Sequence, residues 1–266
     1  MLPDYVGIGA QRAATTWIYR CLQEHPEVFV ATPKELHFFD EQYEKGVSWY
    51  ESHFRPAPQH KVAGEITPNY LNVAHAVPRM AEVIPDARLF AVLREPVARA
   101  HSAYQLLAEH AYRGMSFRQA CQNGTYLINS GLYSEQLRRV FKYYPRNRVR
   151  VLFYEDIESN PVEFLCDLFR FLSVDDRFQP PSTYSRYNRI MYPRAQRILQ
   201  RIGLGWTIHA ARATPIGTWI KNHHVSKHAG SKLALAEVDV QWLKKQFRPD
   251  ILKLQEIVGR DLSGWL

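Results

Sequence analysis

The chain has 266 residues, 46% of them hydrophobic and 13% aromatic. That is enough apolar material for one well-buried domain and too much for global disorder. No apolar run approaches the roughly 18 residues that span a membrane, and the formal net charge of +8 points either to an anionic partner or to general surface basicity.

The opening MLPDYVGIGA carries neither the basic nor the apolar region of a cleaved signal, so the expectation is a cytoplasmic protein. Short apolar runs rich in β-formers follow at 4–10, 61–65, 88–93 and 149–154. Helical patterns separate them, which predicts an α/β fold with a central parallel sheet flanked by helices. A helix is expected over 15–24, ending before Pro26 because a residue preceding proline resists the α region. Further helices are expected from Pro96, over 132–143, and from 159–161 to Leu172. Residues 174–236, with four prolines and many arginines, read as a partly irregular insertion or lid within a single domain spanning 1–266. A terminal helical pair is expected on either side of Pro249, with Val238, Trp242 and Phe247 before it and Ile251, Leu254 and Val258 after it. The three cysteines, Cys21, Cys121 and Cys166, lie in apolar helical patterns and fit reduced, buried thiols better than disulfides or a metal site.

The most informative stretch is Gly9 to Leu22, GAQRAATTWIYRCL. A strand, a tight turn and a helix start form an anion site, because unpaired N–H groups and the helix dipole converge there. A Walker A template started at Gly9 puts Ala14 at the second glycine and Thr15 at the lysine, and only Thr16 fits. That mismatch counts against a kinase or ATPase. An ordinary strand–helix turn capped by Thr15 or Thr16 is the plain alternative.

Arg12-Ala13-Ala14-Thr15-Thr16-Trp17 resembles instead the 5′-phosphosulfate loop of sulfotransferases that use 3′-phosphoadenosine 5′-phosphosulfate (PAPS), with Arg for the usual Lys and Ala for Gly. The stretch 25–54, with KELHFFD and a later GVSWY, is similar to the branch containing heparan sulfate 3-O- and N-sulfotransferases. GEITPNYL (64–71) and LREPVARAHSAY (93–104) resemble that branch's next strand and its 3′-phosphate motif. GLYSEQL, VLFYEDIESNP and the closing VGRDLSGWL fit later landmarks. The resemblance covers almost the whole chain, is weakest over 174–226, and implies a P-loop-NTPase-like three-layer fold.

It also implies roles. PAPS is the cosubstrate and 3′-phosphoadenosine 5′-phosphate (PAP) the product. Residues 12–17 hold the phosphosulfate, with Arg12 as the cation at the leaving group. Arginine holds its charge but donates its proton less readily than lysine, which suggests electrostatic stabilisation over general acid catalysis. Arg94 and Ser102 take the 3′-phosphate; the alternative for Arg94 is a salt bridge with Glu95 or Asp86. Glu65 coincides with the branch's base, although Ile66 stands where a lysine often follows. His37 and His101 are alternative bases, each equally consistent with a hydrogen-bonded structural residue. Lys34, with His37, either lines the acceptor cleft or pairs with Glu35, and Phe38 and Phe39 read as core. Lys227 falls near a cofactor loop of the family, with Lys232 or a solvated loop as alternatives.

The acceptor reads as a carbohydrate or a small molecule or lipid bearing a hydroxyl or amine. No metal and no nucleic acid are expected. The competing readings are a P-loop-like nucleotide or small-molecule kinase and a polyanion-binding protein using Arg186, Arg189, Arg194, Arg197 and Arg201, which have no nucleic-acid-binding motif beside them.

Overall fold

The computed structural model describes residues 1–185 and 235–266. Strands β1 (Tyr5–Gly9), β2 (Val28–Val30), β3 (Val62–Ile66), β4 (Arg88–Leu93) and β5 (Val149–Phe153) form one parallel sheet in the order β2-β3-β1-β4-β5. Four of them coincide with the expected runs. The edge strand β2 was not foreseen, since three residues are too few to display a period. β1 is buried along its whole length and β4 after its first residue, as strands covered on both faces require. Gly64 permits the closest strand contact: a Cβ there would meet the Tyr5 carbonyl oxygen at 2.3 Å.

The helices are α1 (Thr15–Glu24), α2 (Val47–Glu51), α3 (Ala76–Val83), α4 (Pro96–Leu107), α5 (Phe117–Asn123), α6 (Thr125–Asn129), α7 (Tyr133–Tyr143), α8 (Tyr154–Ser159), α9 (Pro161–Leu172) and α10 (Glu237–Val258). α1 stops at His25, just before Pro26, as expected. It shares one face with α9, where Trp17 meets Phe164 with ring centroids 5.8 Å apart and His25 meets Phe169 at 4.6 Å. α3, α4, α7 and α10 pack together on the other face. Right-handed crossovers explain the split, because the chain leaves β1 towards one sheet edge and leaves β3 and β4 towards the other. The result is the expected three-layer, P-loop-NTPase-like arrangement.

The structure corrects the terminal helical pair. α10 is one continuous helix of 22 residues through Pro249. Pro249 lies on its exposed side, where water takes the carbonyl bond that the missing N–H leaves open. The buried stripe is Leu243, Phe247, Ile251 and Leu254, whereas Val238 is 66% exposed. All three cysteines are free, Cys21 and Cys121 buried and Cys166 partly so. Burial pushes the Cys21 and Cys121 thiols up to about 12, which makes them poor nucleophiles. Of the expected insertion, residues 174–185 carry buried Val174, Ser182 and Thr183, and 186–234 lie outside the described residues. No described helix is long and apolar enough to cross a membrane.

Candidate active site

β1 ends between β3 and β4, so the loop after it is tied to both neighbours. Ala10 N donates to Val92 O at 2.8 Å, and Thr67 N and Leu71 N donate to Gly7 O and Ile8 O at 3.0 and 2.9 Å. This is the carboxyl edge of an open α/β sheet, where helices depart to opposite faces and ligands bind. The loop turns through left-handed conformations at Arg12 (φ 70°) and Ala14 (φ 60°). Ala14 is the residue preceding the first turn of α1, and no side chain caps the helix. Thr15 and Thr16 are its first residues rather than its caps, so their amides are available to an anion. Trp17 is buried, its indole N–H donating to Ser182 O at 3.0 Å and Thr183 O at 3.2 Å.

Arg12 Nε donates to Ser102 Oγ at 3.1 Å, and Arg94 Nη1 donates to the Arg12 carbonyl, also at 3.1 Å. Two motifs separated by about eighty residues thus meet at one point. Arg94 also lies over the Tyr154 ring, 4.3 Å from its centroid. Its foreseen alternative partners are engaged elsewhere: Asp86 pairs with Arg148 at 3.0 Å, and the Glu95 carboxylate caps α4 through Val97 N and Ala98 N at 2.9 and 2.5 Å. Burial, and then the charge of Arg94, lower the pKa of Arg12. Among the described residues no carboxylate pairs with Arg12 or Arg94. Cations crowded without a paired acid favour the approach of an anion.

A polar chain leads away from Arg12 towards β3. Tyr126 donates to Gln11 Oε1, Gln11 Nε2 donates to Asn69 Oδ1 at 3.4 Å, and Asn69 Nδ2 donates to Asp40 Oδ2 at 2.7 Å. Asp40 Oδ2 also bonds His37 Nδ1 at 2.9 Å. Sequence reasoning missed Gln11, Asp40, Asn69 and Tyr126, because nothing in a lone polar residue signals a partner thirty to a hundred positions away.

Glu65 sits near the end of β3 and is 1% exposed. Its Oε1 accepts from Tyr50 OH at 2.9 Å and Tyr70 OH at 3.0 Å, and its Oε2 accepts from Thr67 Oγ1 at 2.6 Å. The Leu36 amide donates to the same carboxylate. Burial nevertheless outweighs these hydrogen bonds and raises its pKa. Leu36 is flanked by Glu35 (φ 67°) and His37 (φ 53°), both left-handed without being glycine. Such conformations cost of order 1 kcal/mol or more each, so a strained segment covers the carboxylate.

His37 is held by acids on several sides, with Glu35 Oε2 3.5 Å from its Nε2 and Glu41 Oε1 3.8 Å from its Nδ1. Burial pulls its pKa down, but the hydrogen bond and charge of Asp40, with Glu41 and Glu35, outweigh that and leave it raised. His37, Asp40 and Glu41 bring three metal-capable atoms within 4.8 Å of one another. Lys34 pairs with Glu35, the second of its two foreseen roles. Phe38 and Phe39 are fully buried, as expected, and Ile66 is core. His101 packs its ring edge-on to Phe117, centroids 5.3 Å apart. Lys227, Lys232 and the arginines at 186, 189, 194, 197 and 201 lie outside the described residues.

The family model described as "Sulfotransferase domain" matches residues 2–264. The membrane-associated sulfotransferase kil1 of Dictyostelium discoideum is 33% identical over 118 residues, 43% of this chain and 25% of that protein. Human heparan sulfate glucosamine 3-O-sulfotransferase 6 is 30% identical over 167 residues, 60% of this chain and 48% of that protein. The chain therefore spans between a quarter and a half of the length of these relatives. A sulfotransferase from Alicyclobacillus acidocaldarius shares the fold, with a TM-score of 0.76, 22% identity and 100% and 99% of the two chains covered.

Proposed function

Because the chain belongs to the sulfotransferase family, whose members use PAPS, we propose that it transfers a sulfuryl group from PAPS to a hydroxyl or amine of a carbohydrate, small-molecule or lipid acceptor. The observation that carries this reading is the cluster of Arg12, Arg94 and Ser102 near the start of α1, with no carboxylate paired to it among the described residues, and a buried carboxylate on the neighbouring strand β3. The donor nucleotide is multiply anionic, and among the described residues this pole offers cations, a hydroxyl and amides.

In the proposed reaction the acceptor oxygen or nitrogen bonds to sulfur while the bond from sulfur to the bridging phosphate oxygen breaks. The electron pair passes to the 5′-phosphate of PAP. Arg12 and the first amides of α1 stabilise that growing charge, a service worth about 10²–10³-fold per well-placed donor. Glu65 takes the acceptor proton. Its raised pKa moves it towards neutral pH, where a general base works best. His37 suits the role less, because its three acidic neighbours favour its protonated form. Glu65 reaches the acceptor when the strained 35–37 segment yields and Leu36 N releases the carboxylate. A glycan hydroxyl is the acceptor closest to those named for the relatives.

The test is thermal unfolding with PAP, with ATP and Mg²⁺, and with an oligonucleotide, followed by transfer of label from PAPS to extracted metabolites. A ligand at 100 times its Kd stabilises by about 2.7 kcal/mol. PAP is expected to shift the transition; a shift with ATP–Mg²⁺ or the oligonucleotide and none with PAP would overturn the proposal.

A further inference from the structure

A third arginine, Arg99, lies within the 93–104 stretch, between Arg94 and Ser102, and has no role in the reading above. Arg99 is 0% exposed and heads the set of fully buried large side chains. Among the described residues its guanidinium makes one hydrogen bond, Nη2 to the Leu127 carbonyl. Its Nε and Nη1 are buried without a partner, and no carboxylate pairs with it among the described residues. A permanent charge is seldom buried on such terms, because nothing nearby replaces the water it loses.

Its place in the fold suggests what does. Arg99 lies on α4 three residues before Ser102, so the two share one helix face a turn apart. Ser102 holds Arg12 Nε, and Arg94, one residue before the Glu95 cap of the helix, holds the Arg12 carbonyl. The Leu127 carbonyl that Arg99 grips belongs to α6, next to Tyr126, whose hydroxyl fixes Gln11 beside Arg12. Arg99 therefore approaches the loop by two routes, one electrostatic through α4 and one mechanical through α6.

We propose that Arg99 is a buried positioning residue of the donor site, a cation whose counter-charge is the phosphate groups of the bound nucleotide and whose hydrogen bond to Leu127 sets α6 against the phosphosulfate loop. The inference rests on the PAPS reading above. Arg12, Arg94 and Arg99 repel one another in the ligand-free protein, and Arg99 adds to the burial and the Arg94 charge that already lower the pKa of Arg12. A bisphosphate relieves that repulsion on binding. Acting from beneath the surface, Arg99 attracts the whole phosphate charge without choosing between individual oxygens.

The experiment compares wild type with Arg99→Gln, which keeps an N–H for Leu127 O and drops the charge, and Arg99→Lys, which keeps the charge. Calorimetric titrations with PAP and with adenosine 5′-monophosphate are run at low and high salt. Arg99→Gln is expected to weaken PAP binding about tenfold at low salt, to weaken monophosphate binding less, and to show a shallower salt dependence than wild type. Arg99→Lys is expected to bind PAP within about twofold of wild type. Equal PAP affinities for wild type and Arg99→Gln would overturn the inference. So would losses of the same size for the two nucleotides, or a Gln variant that cannot fold without ligand, since each marks a purely structural arginine. A wild type that binds no PAP would instead overturn the donor reading itself.

Discussion

The two poles of the site are built on opposite principles. At the donor pole, Arg12, Arg94 and Ser102 converge without an acid among the described residues, and the amides that open α1 have no internal partner. At the acceptor pole, Glu65 is wrapped by Tyr50, Thr67, Tyr70 and the Leu36 amide and has almost no contact with solvent. Both poles hold non-glycine residues in left-handed conformations, Arg12 and Ala14 at one, Glu35 and His37 at the other. Among the described residues the arginine cluster is thus under-compensated, whereas the carboxylate is satisfied and closed off; in the proposed function the first is the donor pole and the second the acceptor pole. If Glu65 is the base we propose, a carboxylate hidden until an acceptor displaces its cover is shielded from water, and an electrostatic site for the donor needs no such cover.

The contrast can be broken most directly at Glu65. Glu65→Gln is expected to lower kcat by about 10²–10⁴-fold while leaving the PAP-induced shift in unfolding temperature intact; near-normal turnover would remove Glu65 as the base. At the opposite pole, Arg12→Ala is expected to cost about 10²–10³-fold in kcat, with Arg12→Lys retaining activity. If the alanine variant lost PAP affinity alone at unchanged kcat, Arg12 would bind the donor without assisting departure of the leaving group. Tyr50→Phe leaves one lone pair of a buried carboxylate without its donor, so urea unfolding should show a loss of about 1–3 kcal/mol.

Smaller effects sharpen the comparison. Ala14→Gly relieves a left-handed alanine and should stabilise the ligand-free protein by about 0.5–1 kcal/mol, read as a shift in the urea midpoint. At His37 the sign follows from a raised folded pKa. Its stabilisation is fully present below the unfolded value of about 6.5 and is lost as pH rises through the folded one. His37→Gln should therefore flatten the fall in urea midpoint as pH rises from about 6.5, and an unchanged profile would show that the acidic neighbours of His37 do not raise its affinity for the proton.

Much of the framework was legible before any coordinates. Four strands stood out as apolar runs between helical patterns, and the helices from Thr15, Pro96 and Pro161 were announced by prolines and turn residues. β2 escaped because three residues carry no period. The terminal pair was misread because Pro249 was taken as a helix end, whereas a proline on an exposed face costs one hydrogen bond that water replaces. Within the site, the loop at Arg12 and the partners Arg94 and Ser102 were legible as spaced motifs. The environment of Glu65, the acidic surround of His37 and the roles of Tyr126 and Arg99 were not, since each depends on residues brought together from distant parts of the chain.

By itself, the sequence determined the alternation of strand and helix, the anion loop at the end of the first strand and the residue types available to it, because these follow from local periodicity, backbone preference and side-chain chemistry. The tertiary structure alone decided which charges meet and which are buried. It set Arg12, Arg94 and Arg99 within reach of one another's charge with no acid paired to them among the described residues, and it sealed Glu65 beneath Leu36. Desolvation and charge–charge interaction depend on distance in space, and that distance is set by how the sheet is ordered and how its helices cross it.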